Sequence, residues 1–172
     1  MPSGPTSLQT RRLAATALMV AAAAAGVLAD VGPADGATSP NLVIRLVSVT
    51  TSARYDDKAP EGPSAGDKFI STSRLINDAR QLGRAKGAVV GSDSGTLTLT
   101  SRRAGRVDVL VRLPGGTLRV RGQVRLAGGT REIYPVTGGT GRFSGARGTL
   151  TVTALPGGGE RASNVYRLTL AI

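Results

Sequence analysis

From Asn41 onward, apolar residues recur at every second position in short runs broken by glycine, the period of β-strands that bury one face. Leu97 and Leu99 alternate with Thr96, Thr98 and Thr100, and Val107, Val109, Val111 and Leu113 follow. Leu118, Val120, Val124 and Leu126 then alternate with Arg119, Arg121 and Arg125. Looser alternation over residues 41–52 and 67–76, a short apolar run at 88–91, and segments 132–137, 149–154 and 163–172 complete the set. Turns are expected at Ala104-Gly105, Pro114-Gly115-Gly116, Ala127-Gly128-Gly129 and Pro156-Gly157-Gly158-Gly159, where glycine supplies the positive φ of tight hairpins. Residues 77–84 offer a single helical turn. Residues 53–66, "ARYDDKAPEGPSAG", read as the longest irregular connection, either a loop over a barrel mouth or a solvated link.

Eight or nine strands with short Gly-rich hairpin turns predict an all-β fold, an antiparallel barrel or sandwich, and the closed antiparallel β-barrel is preferred. One face of most strands is aliphatic and the other carries Thr or Arg, so one side is dry and the other wet. A length of 172 residues with 40% hydrophobic content suits one domain. Aromatics make up only 3%, which leaves the core to Leu, Val, Ile and Ala.

Ahead of the alternating region, Arg11 and Arg12 precede an uncharged, Ala-rich run over residues 13–28 that ends in Val27-Leu28-Ala29. This pattern predicts a cleavable signal peptide over residues 1–29, with an alternative cut after Ala37 and a linker over residues 30–40. The run is shorter than the roughly 20 residues of a membrane helix, so the barrel, residues 41–172, is expected to be secreted without a membrane anchor. Removing Arg11 and Arg12 leaves 20 basic residues against 11 acidic ones, a charge of +9.

The chain has no Cys and no His, which excludes a Cys/His zinc site, a disulfide scaffold, a thiol nucleophile and any triad built on imidazole. Catalysis would fall to carboxylates, Tyr, Lys, Arg or shape. The cluster "GGTGRFSG" lacks the Lys-Ser/Thr of a phosphate loop and runs into the strand-like "TLTVTAL" rather than a helix. "GSDSG" at residues 91–95 has Asp93 where a nucleophile elbow has Ser, and it reads as a turn. Arg119, Arg121 and Arg125 share a strand face without interleaved aromatics, so they read as a solvated face, and no nucleic-acid partner is expected. Asp56, Asp57 and Glu61 lack the ligand spacing of a calcium loop and read as solubilising charges, so no metal and no cofactor are expected.

The runs "GDKF" at 66–69, "LGRAKGAVV" at 82–90, "LPGGTLRVRGQV" at 113–124 and above all "YPVTGGTGRFSGARGTLTV" at 134–152 resemble the dirigent and allene oxide cyclase barrel-like superfamily in order and interval. The resemblance covers residues 41–172 and implies an eight-stranded barrel with an apolar cavity for a small hydrophobic molecule, often assembled as a homotrimer. It also implies that the arginine of the "ARG" element, here Arg147, faces the cavity. The first-strand aspartate of dirigent barrels has Val47-Ser48 in its place, and the cyclases' cysteine has no counterpart.

Arg147 is therefore the expected polar anchor, with Tyr134 and Glu132 as companions, against an equally weighted structural role beside the turn. Gly138, Gly139 and Gly141 are expected to turn the chain, and Gly145 and Gly148 to permit close approach at the re-entry. Two function classes remain open. The barrel either binds a small apolar molecule and guides its cyclisation or coupling, as an isomerase or cyclase would, or it is a non-catalytic exported module that recognises a ligand or partner.

Overall fold

The computed structural model describes residues 41–126, 131–155 and 163–171. The expected signal peptide and linker over residues 1–40, and the turns expected at 127–129 and 156–159, lie outside them. Among the described residues there are eight strands: β1 (Leu42–Asp56), β2 (Lys68–Asn77), β3 (Val89–Ser101), β4 (Ala104–Leu113), β5 (Gly116–Arg125), β6 (Arg131–Gly139), β7 (Arg147–Ala154) and β8 (Ser163–Ala171). Each pairs antiparallel with the next and β8 returns to β1, with Leu42 opposite Leu170 and Leu46 opposite Tyr166, so the sheet closes into a barrel without an edge.

Alternation fixes the inside. Ile44, Leu46, Leu75, Val111, Leu118, Val120, Leu150, Leu168 and Leu170 point inward and are buried, while Arg45, Arg74, Arg112, Arg119 and Arg167 point out between them. Each such aliphatic side chain contributes roughly 1.5–3 kcal/mol by leaving water, and Leu118→Ala at the fully buried centre would cost about 2–5 kcal/mol. Bulges at Thr50/Ser52, Leu75/Ile76 and Arg119/Val120 interrupt the register and add local bend to the closed sheet.

The two barrel ends differ. At one end the β6–β7 connection folds inward as a 3-10 turn, Gly141–Phe143, and buries Phe143 and Ala146 completely in the core. The glycine-rich element is thus a floor. Gly141 (φ +59°) sits where an added Cβ would lie 2.1 Å from the Gly115 carbonyl oxygen, and Gly148 (φ +145°) where one would lie 1.9 Å from that of Thr169. Gly138 and Gly139 both belong to β6 rather than to a turn, Gly139 making room for the Phe143 backbone, whereas Gly145 (φ +75°) turns the chain with open space around an added Cβ.

Other local expectations shift. Residues 53–56 continue β1, because Ala53, Arg54, Tyr55 and Asp56 pair with β2 from Ser71 to Lys68. Gly105 lies inside β4 under the Leu97 side chain, and the hairpin turns at Arg102-Arg103. Residues 78–88 form a loop instead of a helical turn, organised by Asn77, whose Nδ2 donates to the carbonyls of Gln81, Arg84 and Ala85 at 2.9, 3.2 and 3.3 Å.

Candidate active site inside the barrel

The inner wall is not uniformly aliphatic. Asp93 shares the inward face of β3 with Leu97 and Leu99 and is only 3% exposed. Its register partner on β2 is Ser73, which in turn lies opposite Thr50 on β1. Ser48, two residues before Thr50 on the same face, donates its hydroxyl to Asp93 Oδ2 at 3.0 Å. Ser73 and, from β8, Tyr166 also hydrogen-bond this carboxyl. Burial nevertheless dominates and raises the Asp93 pKa, with the three hydroxyls pulling it only partway back. "GSDSG" is therefore the middle of a strand rather than a turn, and its aspartate is inside.

A second polar pair stands on β6. Glu132 and Tyr134 are successive inward positions, and burial pushes the Glu132 carboxyl up to about 7, offset in part by the Tyr134 hydroxyl. Glu132 Oε1 is buried with no hydrogen-bond partner among the described residues. The Tyr134 ring rests over Gly122 of β5, where an added Cβ would come within 3.1 Å of the ring. Burial raises both tyrosine pKa values, Tyr134 with help from Glu132 and Tyr166 with help from Asp93, and Tyr166 also feels Tyr134. Asp93, Tyr166, Tyr134 and Glu132 thus form one electrostatically linked row running from β3 to β6.

Beside this row, several inward-pointing residues keep partial solvent access: Ser71, Gly95, Val107, Val109, Gly122, Val152 and Ala154. An inward side chain reached by solvent marks a hollow, and its lining is mainly aliphatic. It lies toward the end opposite the Phe143 floor, where Tyr55 and Phe69 stack with ring centroids 4.3 Å apart. There fully buried Asp67 gathers the β1–β2 connection, accepting hydrogen bonds from Tyr55 Oη, the Lys58 amide (2.9 Å), the Ser64 amide (2.7 Å) and Ser64 Oγ (3.2 Å). Burial alone would raise the Asp67 pKa, but these donors together hold it below the ordinary value.

The three expected site residues separate. Tyr134 and Glu132 come together inside. Arg147 does not join them: it is exposed, and its Nη1 donates to the carbonyls of Ala146 (2.9 Å) and Gly145 (3.4 Å). The reason is parity, since Leu150 faces in, so Gly148 faces in and Arg147 faces out. Of its two weighted roles, the structural one beside the turn matches its position. The arginine strand also faces outward, where Arg119 and Arg121 both pair with Asp108 at 2.6 and 3.1 Å. A groove of about 570 Å³ on that outer face is lined by Ser94, Thr96, Thr98, Arg106, Asp108, Leu110 and Arg119 and is separate from the interior.

Residues 47–166 match the family model described as the allene oxide cyclase barrel like domain. The chain belongs to this family. No curated protein matches it in sequence. Among solved structures, the barrel is similar to a pyocyanin demethylase (22% identity, TM-score 0.61, 75% of this chain and 99% of that one). It is also similar to a pterocarpan synthase dirigent protein (17% identity, TM-score 0.59, 77% and 95%). The Diels–Alderase AbmU from Streptomyces koyangensis is a third (20% identity, TM-score 0.61), where 77% of this chain spans 64% of that one. At such identities the likeness concerns the fold.

Proposed function

We propose that the barrel takes a small, largely apolar molecule into its hollow and guides its cyclisation or coupling. The observation that carries this reading is the Asp93–Tyr166–Tyr134–Glu132 row set into the inner wall beside a mainly aliphatic hollow. Burying such groups without use costs stability, and carboxyls with raised pKa in a cleft mark a candidate site for proton handling. Asp93 gathers the Ser48, Ser73 and Tyr166 hydroxyls and so fixes the Tyr166 hydroxyl at the polar end of the row. Glu132, titrating near neutrality, takes a proton from one atom of the ligand and returns it to another, so ring closure proceeds with no net gain or loss of atoms. Holding a flexible chain in its reactive fold can contribute as much as roughly 7–11 kcal/mol in favourable cases.

The Arg11-Arg12 pair and the apolar run after it support export of the barrel. The test of the proposed function is native mass spectrometry of the full chain after exposure to the apolar fraction of a cell extract, followed by chromatography of the released ligand. Retention by the wild type and by Arg147→Ala, with a product of unchanged mass and altered mobility formed by both but not by Glu132→Gln, is the expected result. A retained ligand released unchanged would point to a binding module, and no retained ligand would contradict both.

A further inference from the structure

Positive charge is confined to the outside of the barrel wall among the described residues. Every Arg and Lys among the described residues is exposed except Lys68, which is half-buried, and Lys68 pairs with outward Thr98, so it also faces away from the hollow. Inside, by contrast, stand two carboxyls, Asp93 and Glu132, with hydroxyls, the Asn164 carboxamide and aliphatic groups around them, a third carboxyl, Asp67, buried at the open end, and no cation among the described residues. The two acids are not equivalent. Asp93 is served by Ser48, Ser73 and Tyr166, whereas Glu132 keeps an oxygen that is buried yet unpartnered, on a residue that solvent partly reaches. A buried acceptor without a donor costs about 1–3 kcal/mol, and an incoming donor recovers it.

We infer that the molecule taken into the barrel carries a basic nitrogen, which donates from its protonated form to Glu132 Oε1 while its carbon skeleton lies along the aliphatic wall beside Val152. The inference rests on the interior being the ligand site and specifies that ligand's charge. An ammonium satisfies the orphan oxygen with a charge-assisted hydrogen bond, about twice as strong as one from a neutral hydroxyl. A carboxylate ligand meets no counter-charge anywhere on the described inner wall and would lie against Glu132 at like sign. The groups facing Glu132 do not compete for the role. Tyr134 on β6 and Tyr166 on β8 stay neutral because burial raises their pKa values, Val152 on β7 and Gly122 on β5 carry no charge, and Asp93 on β3 lies beyond Tyr166. Because Glu132 is pushed up to about 7, an ammonium that pairs with it favours the ionised carboxylate, and binding near neutral pH releases a proton.

The test uses three fluorescent probes with one ring system and three charges: anthracenylmethylamine, anthracenylmethanol and anthracenecarboxylate, titrated into the full chain. At pH 8 the amine is expected to bind about tenfold more tightly than the alcohol, and the carboxylate more weakly than either. Glu132→Gln should abolish the amine's advantage over the alcohol. In the wild type the same advantage should fade below pH 7, a measurement that needs no variant. Equal or tighter binding of the carboxylate, or an amine advantage that survives both Glu132→Gln and acid, would overturn the inference while leaving the site intact. Failure of all three probes to bind would overturn the interior site itself and this inference with it.

Discussion

Ser48 Oγ on β1 donates to Asp93 Oδ2 on β3 at 3.0 Å, reaching past the intervening β2 across the inner wall. Ser48 is 1% exposed, so neither group has water as an alternative partner. Ser48→Ala should therefore destabilise the fold by about 1–2 kcal/mol and raise the Asp93 pKa further, since one of its three hydroxyl donors is gone. Chemical denaturation measures the first effect and carbon-detected NMR titration the second. An unchanged carboxyl titration would show that the hydroxyl does not stabilise the ionised form.

The pH dependence of stability has a defined sign at Glu132. Its pKa in the folded state lies above the ordinary value of 4.5, at about 7, so the folded protein binds this proton more tightly than the unfolded chain. The resulting stability is complete below pH 4.5 and is lost as pH rises to about 7. Glu132→Gln removes that dependence. Allowing for solvent around this partly exposed group, the variant should gain on the order of 1 kcal/mol relative to wild type at pH 8 compared with pH 4. A difference in Tm that stays constant across this range would contradict the assignment.

At the closed end, Gly148→Ala should be severely destabilising, by about 3 kcal/mol or more, because φ of +145° and a Cβ 1.9 Å from the Thr169 oxygen leave no relaxed solution. Gly138→Ala, whose Cβ would meet nothing nearer than an Arg147 guanidinium nitrogen at 3.8 Å, serves as the comparison and should cost well under half as much. Equal loss in the two variants, measured by thermal unfolding, would show that conformational strain is not what this glycine avoids.

How far the sequence reaches is clearest on β3 and β7. Period-two alternation through Leu97 and Leu99 already gives the strand, and the same parity carried back through Gly95 puts Asp93 inside. Reading "GSDSG" by its small residues alone hides this, because Gly and Ser mark turns in isolation but fit a strand where the wall needs space, as Gly91 and Gly95 do against Arg112 and Val109. Arg147 errs in the opposite direction. The "ARG" element gives its place at the start of a strand, and only its parity with Leu150 reveals that it faces out. The strands themselves follow from local pattern, whereas closure through β1 and β8 and the hydroxyl set around Asp93 depend on register between strands, which periodicity within one strand does not encode.

The central claim is that the hollow inside the barrel is the ligand site. Val109 points into it and retains partial access, with Gly95 and Val120 as its neighbours across the sheet. Val109→Trp fills this space from a position that touches neither Asp93 nor Glu132 in register. Fluorescence titration of the full chain with anthracenylmethanol should show saturable binding in the wild type and at least a tenfold loss in Val109→Trp, with circular dichroism unchanged. Equal affinity in the two folded proteins would place the ligand elsewhere and contradict the account.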